Sequence, residues 1–193
     1  MASKFNNRDA FRGDKDNNNK KNDDDDVEST PQFLVVCDDF FEHALDDVQD
    51  DEGYGCDNAA PCLWFNIGST RFIKRDTGGV SMDSRIIGND PTVHMKYGSW
   101  GPLIQEQLYS GKNIPAIGIR RLSSVNGTKV IVQAIDYENC MLKTYQQMDD
   151  TIEFSFSATS AQDVAIVFDD NGTKRGNLGT KFNYTTKLID SII

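Results

Sequence analysis

The sequence predicts a mainly β protein, a small antiparallel β-barrel or sandwich of about nine strands with one short α-helix. Three observations carry that prediction. From Thr151 to Ala158 the alternation is strict: Ile152, Phe154, Phe156 and Ala158 fall on one side, and Thr151, Glu153, Ser155 and Ser157 on the other. That is the pattern of a strand with one buried and one wet face. Asn126-Gly127 separates two apolar runs, and the tight hairpin turn needs positive φ at both central residues, which Asn and Gly tolerate. Between Ser99 and Gly111 the period changes: Trp100, Leu103, Ile104 and Leu108 make one helical stripe.

Residues 1–31 consist mostly of Asn, Asp, Lys and Arg, with Phe5 and Phe11 as isolated aromatics. So little apolar surface cannot offset the entropy of ordering, and the segment is predicted as a disordered polar tail. The other reading is an arm that orders against a neighbouring subunit with Phe5 and Phe11 as anchors. Asp23–Asp26 reads as a solvated charge block. Residues 32–193 form the predicted β-barrel domain.

Phe33–Cys37 is the first strand. Asp38–Glu52 follows as a carboxylate-rich loop or amphipathic turn, with Phe40, Phe41, Ala44, Leu45 and Val48 in a weak helical stripe. It lacks the register of a calcium loop. Leu63–Ile67 and Thr70–Lys74 are two strands around a Gly68-Ser69 turn, and Asp76–Gly79 is a loop. Val80–Ile87 fits no single pattern, and Thr92–Lys96 is a strand feeding the helix. In that helix Ser99 is the expected N-cap, Pro102 sits in the first turn where its missing N–H costs nothing, and Gly111 closes the end. Ile117 and Ile119 then mark a one-faced strand, and Lys129–Tyr137 is apolar on both faces, as in a strand covered on both sides. Val164–Phe168 and Lys181–Thr186 complete the strands, joined through a turn at Asp169–Gly172.

The 193 residues carry 30 Asp and Glu against 20 Lys and Arg, a formal charge of −10. That balance argues against nucleic acid and anionic membranes as partners. No apolar run approaches the roughly 20 residues of a membrane span, and the start of the chain lacks a signal-peptide core, so synthesis in a cytoplasm is expected. Cys37, Cys56, Cys62 and Cys140 lack zinc-site spacing and read as reduced, partly buried thiols, with a Cys56–Cys62 bridge as the alternative. His43 and His94 stand in contexts without catalytic partners, Gly78-Gly79 is an isolated pair, and Trp64 and Trp100 read as core anchors. The sequons at Asn126, Asn171 and Asn183 read as turns or carry little weight without a signal peptide. No catalytic, cofactor-binding or metal-ligating residue is predicted, and the chain reads as a non-enzyme.

The order of elements from about residue 80 to 186 resembles the tube protein of type VI secretion systems, the haemolysin-coregulated protein family, Hcp. Gly101-Pro102-Leu103-Ile104 with Leu108, Ser110, Gly111 and Lys112 matches that family's helix phrase. Tyr137–Leu142 matches the phrase that follows its strand pair, and Ile152–Phe156 its alternating strand. The turn from Asp169 to Gly176 followed by Phe182–Thr186 looks like its closing segment. The segment before Pro31 and the acidic, Cys-bearing stretch 38–62 depart from the family pattern. Phage tail tubes share this barrel-with-helix plan.

The resemblance implies a structural subunit that forms rings, usually of six copies, stacked into a tube that carries and delivers effectors. It implies sheath and spike or baseplate proteins as partners. It places the protein in a bacterial cytoplasm and then in the injection apparatus, secreted without a signal peptide; a virion tail is the phage alternative. From another class, a monomeric β-barrel that binds a ligand or partner is the competing reading. The helix is expected to serve as a barrel plug or a subunit contact, and its apolar stripe favours the plug.

Overall fold

The computed structural model describes residues 32–42, 48–49, 53–76, 79–169, 171–186 and 189–192. The predicted tail or arm at residues 1–31, His43 and part of the Gly78-Gly79 pair lie outside the described residues. The elements are β1 (Phe33–Val36), β2 (Val48–Gln49), β3 (Ala59–Cys62), β4 (Trp64–Asp76), β5 (Gly79–Lys96), α1 (Trp100–Ser110), β6 (Ile114–Val125), β7 (Thr128–Met148), β8 (Thr151–Ser157), β9 (Ser160–Phe168), β10 (Lys174–Asn183) and β11 (Ile189–Ile192). The mainly β class holds, with one helix among the described residues.

The strands close into a barrel because two stretches of chain each serve two sheets. β7 pairs with β6 along one edge. Its other edge runs antiparallel to β9 near residues 133–138 and to β8 near residues 141–148. β8 pairs with β5, β5 with β4, and the chain running back from β4 into β3 pairs with β1, which returns to β6. Leu63 N–H donates to His94 O at 2.8 Å and keeps the β3–β4 junction on the wall. Beyond the barrel, β10 and β11 extend from β9 as a wing. The fork lies at Ala158-Thr159, between β8 and β9. Across from it Asn139 adopts φ 51°, and its side chain donates to Thr159 Oγ1 at 3.2 Å. A short amide side chain tolerates that left-handed conformation in mid-strand.

The barrel interior is filled from every wall strand. Val35, Met95, Ile117, Ile119, Ile135, Ile152, Phe154 and Phe156 are almost wholly buried there. The alternation of Thr151–Ala158 is therefore real, with Ile152, Phe154 and Phe156 all at 0 % exposure. α1 closes one end of the barrel: Ile104 is fully buried in the same core, and Trp100 packs edge-on against Phe41 with ring centres 5.8 Å apart. Gly101 lets the Tyr97 ring lie against the helix, where a Cβ would come within 2.6 Å of it. Gly111 closes the helix in the left-handed conformation, as expected, its N–H donating to Gln107 O at 3.1 Å. Ser99 does not cap: its backbone is already helical and its side chain makes no cap bond. Leu103, placed in the buried stripe by its spacing, is 42 % exposed. The stripe is wider than the barrel mouth it covers.

A second, smaller core lies on the outer side of the wall. Leu34, Leu122, Ile131, Ala134 and Ile166 face a strap formed by residues 53–59, with Cys56 and Ala59 buried against them. This is why Lys129–Tyr137 is apolar on both faces: Ile131 and Ala134 point to the strap, Ile135 and Tyr137 to the barrel. An extra residue in β7, Val132 opposite the Arg121–Leu122 step, shifts the parity between Ile131 and Ala134.

Several expectations are corrected. Gly68-Ser69 is not a turn; β4 runs through it with an irregularity between Asn66 and Gly68, and its partner β5 absorbs the ambiguous stretch Val80–Ile87. Val48 belongs to a two-residue strand parallel to β7, not to a helical stripe. β10 starts at Lys174, earlier than its apolar residues suggest, because a wing strand needs few of them.

Replacing Phe156 with Asp places an unpaired charge in the barrel centre, at a cost of several kcal/mol. The expected outcome is loss of soluble folded protein, measured by circular dichroism and the soluble fraction after expression. Soluble Phe156→Asp protein with a native spectrum would contradict the register of β8.

Candidate functional site

Among the described residues, no group of three or more His, Cys, Asp or Glu side chains lies close enough to hold a metal ion. No helix among them is long and apolar enough to cross a membrane. What these residues present is a set of surfaces on a rigid frame.

The frame depends on Arg120, which sequence reading passed over. It sits on the strap side of β6 at 3 % exposure. Its guanidinium donates to Asp136 Oδ1 at 2.7 Å, twice to Tyr54 O, and to Ile119 O and Ile135 O at 3.2 and 3.3 Å. A planar fork of donors suits this set of acceptors, which ties the strap to two strands. Gly118, two residues earlier on the same face, makes room: a Cβ there would sit 2.9 Å from Arg120 Nη1. The Gly-Ile-Arg triplet within an apolar strand was the available signal.

The four cysteines are all buried and none is in a disulfide. Cys62 faces the barrel and Cys56 the strap, so the alternative bridge between them does not form. Burial pushes the Cys37, Cys62 and Cys140 thiols up to about 12. Cys62 Sγ donates to Trp64 O at 3.0 Å. At the fork, the Glu138 carboxylate accepts hydrogen bonds from the Ser160 hydroxyl and from Lys181 Nζ, which lower its pKa in that order of importance.

The outer face of β4, β5, β8 and β7 is polar in rows. Asn66, Thr92, Ser155 and Thr144 share one register line, and the Thr144 and Ser155 hydroxyls are hydrogen-bonded at 2.6 Å. Trp64, His94, Glu153 and Gln146 form the next. Trp64 is therefore not a core anchor: it is 42 % exposed and lies against the His94 ring at 5.3 Å. Its place beside inward-facing Phe65 reverses the expected parity. Trp100 does pack on the core, half-buried. Lys143 pairs with Asp90 at the margin of this face.

On the wing, the face that lines the barrel core continues past the barrel rim. Ala161 on β9 packs against the core, while Ala165 and Val167 on the same face are exposed, joined by Leu178 of β10 at 62 % exposure. At the wing's margin the two Asn-Gly turns meet, with Asn126 Nδ2 donating to Asn171 O at 2.7 Å. Asp169 Oδ1 accepts from the N–H groups of Asn171 and Thr173, which makes this loop a turn closed on itself. Asn183 Oδ1 likewise accepts from Thr185 and Thr186 N–H.

The arrangement of closed barrel, capping helix and wing defines the fold of the Hcp tube proteins. A solved structure described as a type six secretion system protein superposes with a TM-score of 0.68 at 12 % identity, covering 82 % of this chain and 98 % of that one. Hcp1 from Salmonella typhimurium does so at 0.58 and 10 % identity, over 83 % of this chain and 97 % of that one. The secreted protein Hcp3 from Pseudomonas aeruginosa matches at 0.50 and 13 % identity, over 75 % and 95 %. No protein-family model matches the chain. No curated protein matches it either. Identities this low show a shared fold.

Two outcomes follow for the frame. Arg120→Ala leaves the Asp136 carboxylate and the strap carbonyl of Tyr54 without their Arg120 donor, and is expected to cost about 3 kcal/mol in urea unfolding; an unchanged midpoint would contradict the staple. The buried thiols contribute stability that is present below their ordinary value of 9.0 and is lost as pH rises from there through about 12, because only the unfolded chain releases the protons readily. Native protein at pH 8 should therefore react with a thiol reagent at the rate of unfolding, and denatured protein at once.

Proposed function

We propose that this protein is a structural tube subunit of a contractile injection machine, self-assembling into rings that stack. The carrying observation is the wing: its core-side face runs beyond the barrel with Ala165, Val167 and Leu178 exposed on it. Apolar area of this kind is stabilised by covering it, and a second copy of the same subunit supplies a self-complementary partner. The fold shared with Hcp proteins supports the same reading.

In the assembly the hydroxyl and amide rows of the β4–β5–β8–β7 face line the lumen. A surface of that kind holds water and grips an apolar cargo weakly, which suits passage. The mechanism is mechanical carriage without turnover. Sheath proteins, spike or baseplate proteins and delivered effectors are the proposed partners, the ring is proposed to hold six copies, and the route out of the cytoplasm is the machine itself. A phage-like tail uses the same physics.

Light scattering on a size-exclusion peak, followed by negative-stain microscopy, tests this. Rings or stacks are expected from the full chain. Leu178→Asp is expected to leave a folded monomer with an unchanged circular dichroism spectrum and no rings. A wild-type monomer near 21.6 kDa at every concentration would overturn the reading in favour of a single-copy binding module.

A further inference from the structure

A cavity of about 160 Å3 lies where α1 begins, lined by Phe40, Phe41, Ala59, Trp100 and Leu103 together with the polar Glu42 and Ser99. Its volume is close to the roughly 150 Å3 that accommodates one benzene ring in an apolar protein cavity. Leu103, on its wall, is half-exposed. Asp38 and Asp39 stand exposed nearby on the same turn as Phe40. The groove is thus apolar at the bottom and acidic at the margin, and it ends on a helix start that no side chain caps.

The first 22 residues have the complementary pattern. They carry six basic residues against three acidic ones in a chain whose overall charge is −10. The segment from Lys4 to Arg12 places Arg8 and Arg12 on either side of Phe11, with Asp9 two residues before that ring. We propose that this segment docks in the groove with the Phe11 ring in the cavity. Arg8 and Arg12 then meet Glu42, Asp38 and Asp39. The length of chain permits it. The 20 residues between Phe11 and Gln32 span about 25 Å as a flexible coil and up to about 70 Å extended, against a radius of gyration of about 15 Å for the body. The inference stands independently of tube assembly, since one copy holds both the segment and the groove.

A photo-cross-linking amino acid at position 11 of the full chain, with products mapped by mass spectrometry, tests the docking. Cross-links are expected on residues 40–42 and 99–103, within one copy or between copies. Leu103→Asp and Glu42→Lys, both on exposed positions, should each reduce the yield severalfold while the spectrum of the fold stays native. Raising salt from about 0.1 to about 1 M, which shortens the screening length from about 10 to 3 Å, should also lower it. Cross-links scattered over the body, concentrated elsewhere, or unaffected by both substitutions would overturn the proposal.

Discussion

The structure depends on one long antiparallel pairing that has to belong to two sheets at once. β7 is 21 residues long, and the run from β8 into β9 lies along one of its edges from Gln133 to Met148. A strand of that length cannot stay flat, because the twist of the sheet accumulates along it. Asn139 turns left-handed across from Thr159, where the two halves of the partner strand part company. On one side of that point the sheet curls through β5, β4, β3 and β1 and closes. On the other it continues flat into the wing. Barrel and wing are two consequences of a single fork.

Closure removes edges, and with them most opportunities for unwanted strand pairing. It also sets the stability balance. The barrel interior is almost purely aliphatic and aromatic, so it contributes cohesion without selecting a single arrangement of the strap outside it. That selection falls to Arg120. A buried guanidinium is costly to desolvate, and the cost is offset only when its donors are nearly all matched. Here the acceptors come from the strap, from β6 and from β7, so the strap has one low-energy position. Gly118 is the steric condition for that arrangement.

The same frame separates two kinds of surface. One wall turns rows of hydroxyls and amides outward, while the wing exposes Ala165, Val167 and Leu178 beside the Gln133–Asp163 hydrogen bond. In our reading the first faces cargo and the second faces another copy. The groove at α1 adds a third surface, matched in charge and size to the chain's own beginning.

The sequence by itself determined the class of fold, the single helix with its glycine stop, the hairpin turn at Asn126-Gly127 and the inward set Ile152, Phe154 and Phe156. All of these are local: a period of two or 3.6, or a residue type that tolerates positive φ, is written in neighbouring positions. It also carried enough order of phrases to resemble the Hcp family, which the fold likeness supports. Only the tertiary structure decided the rest. Trp64 faces outward although its neighbours are apolar, because sheet parity follows the register with His94 rather than side-chain size. Leu103 is exposed because the barrel mouth is narrower than the helix stripe. Ser99 fails to cap because the chain enters α1 already helical. Gly68-Ser69 runs straight because β5 supplies a partner from twenty residues away. Arg120 is buried because the carbonyls of Tyr54 and Ile135 and the carboxylate of Asp136, distant in sequence, converge on it. Apart from the local case of Ser99, these outcomes are set by contacts with residues far along the chain, and such contacts leave no periodic trace in the residues themselves.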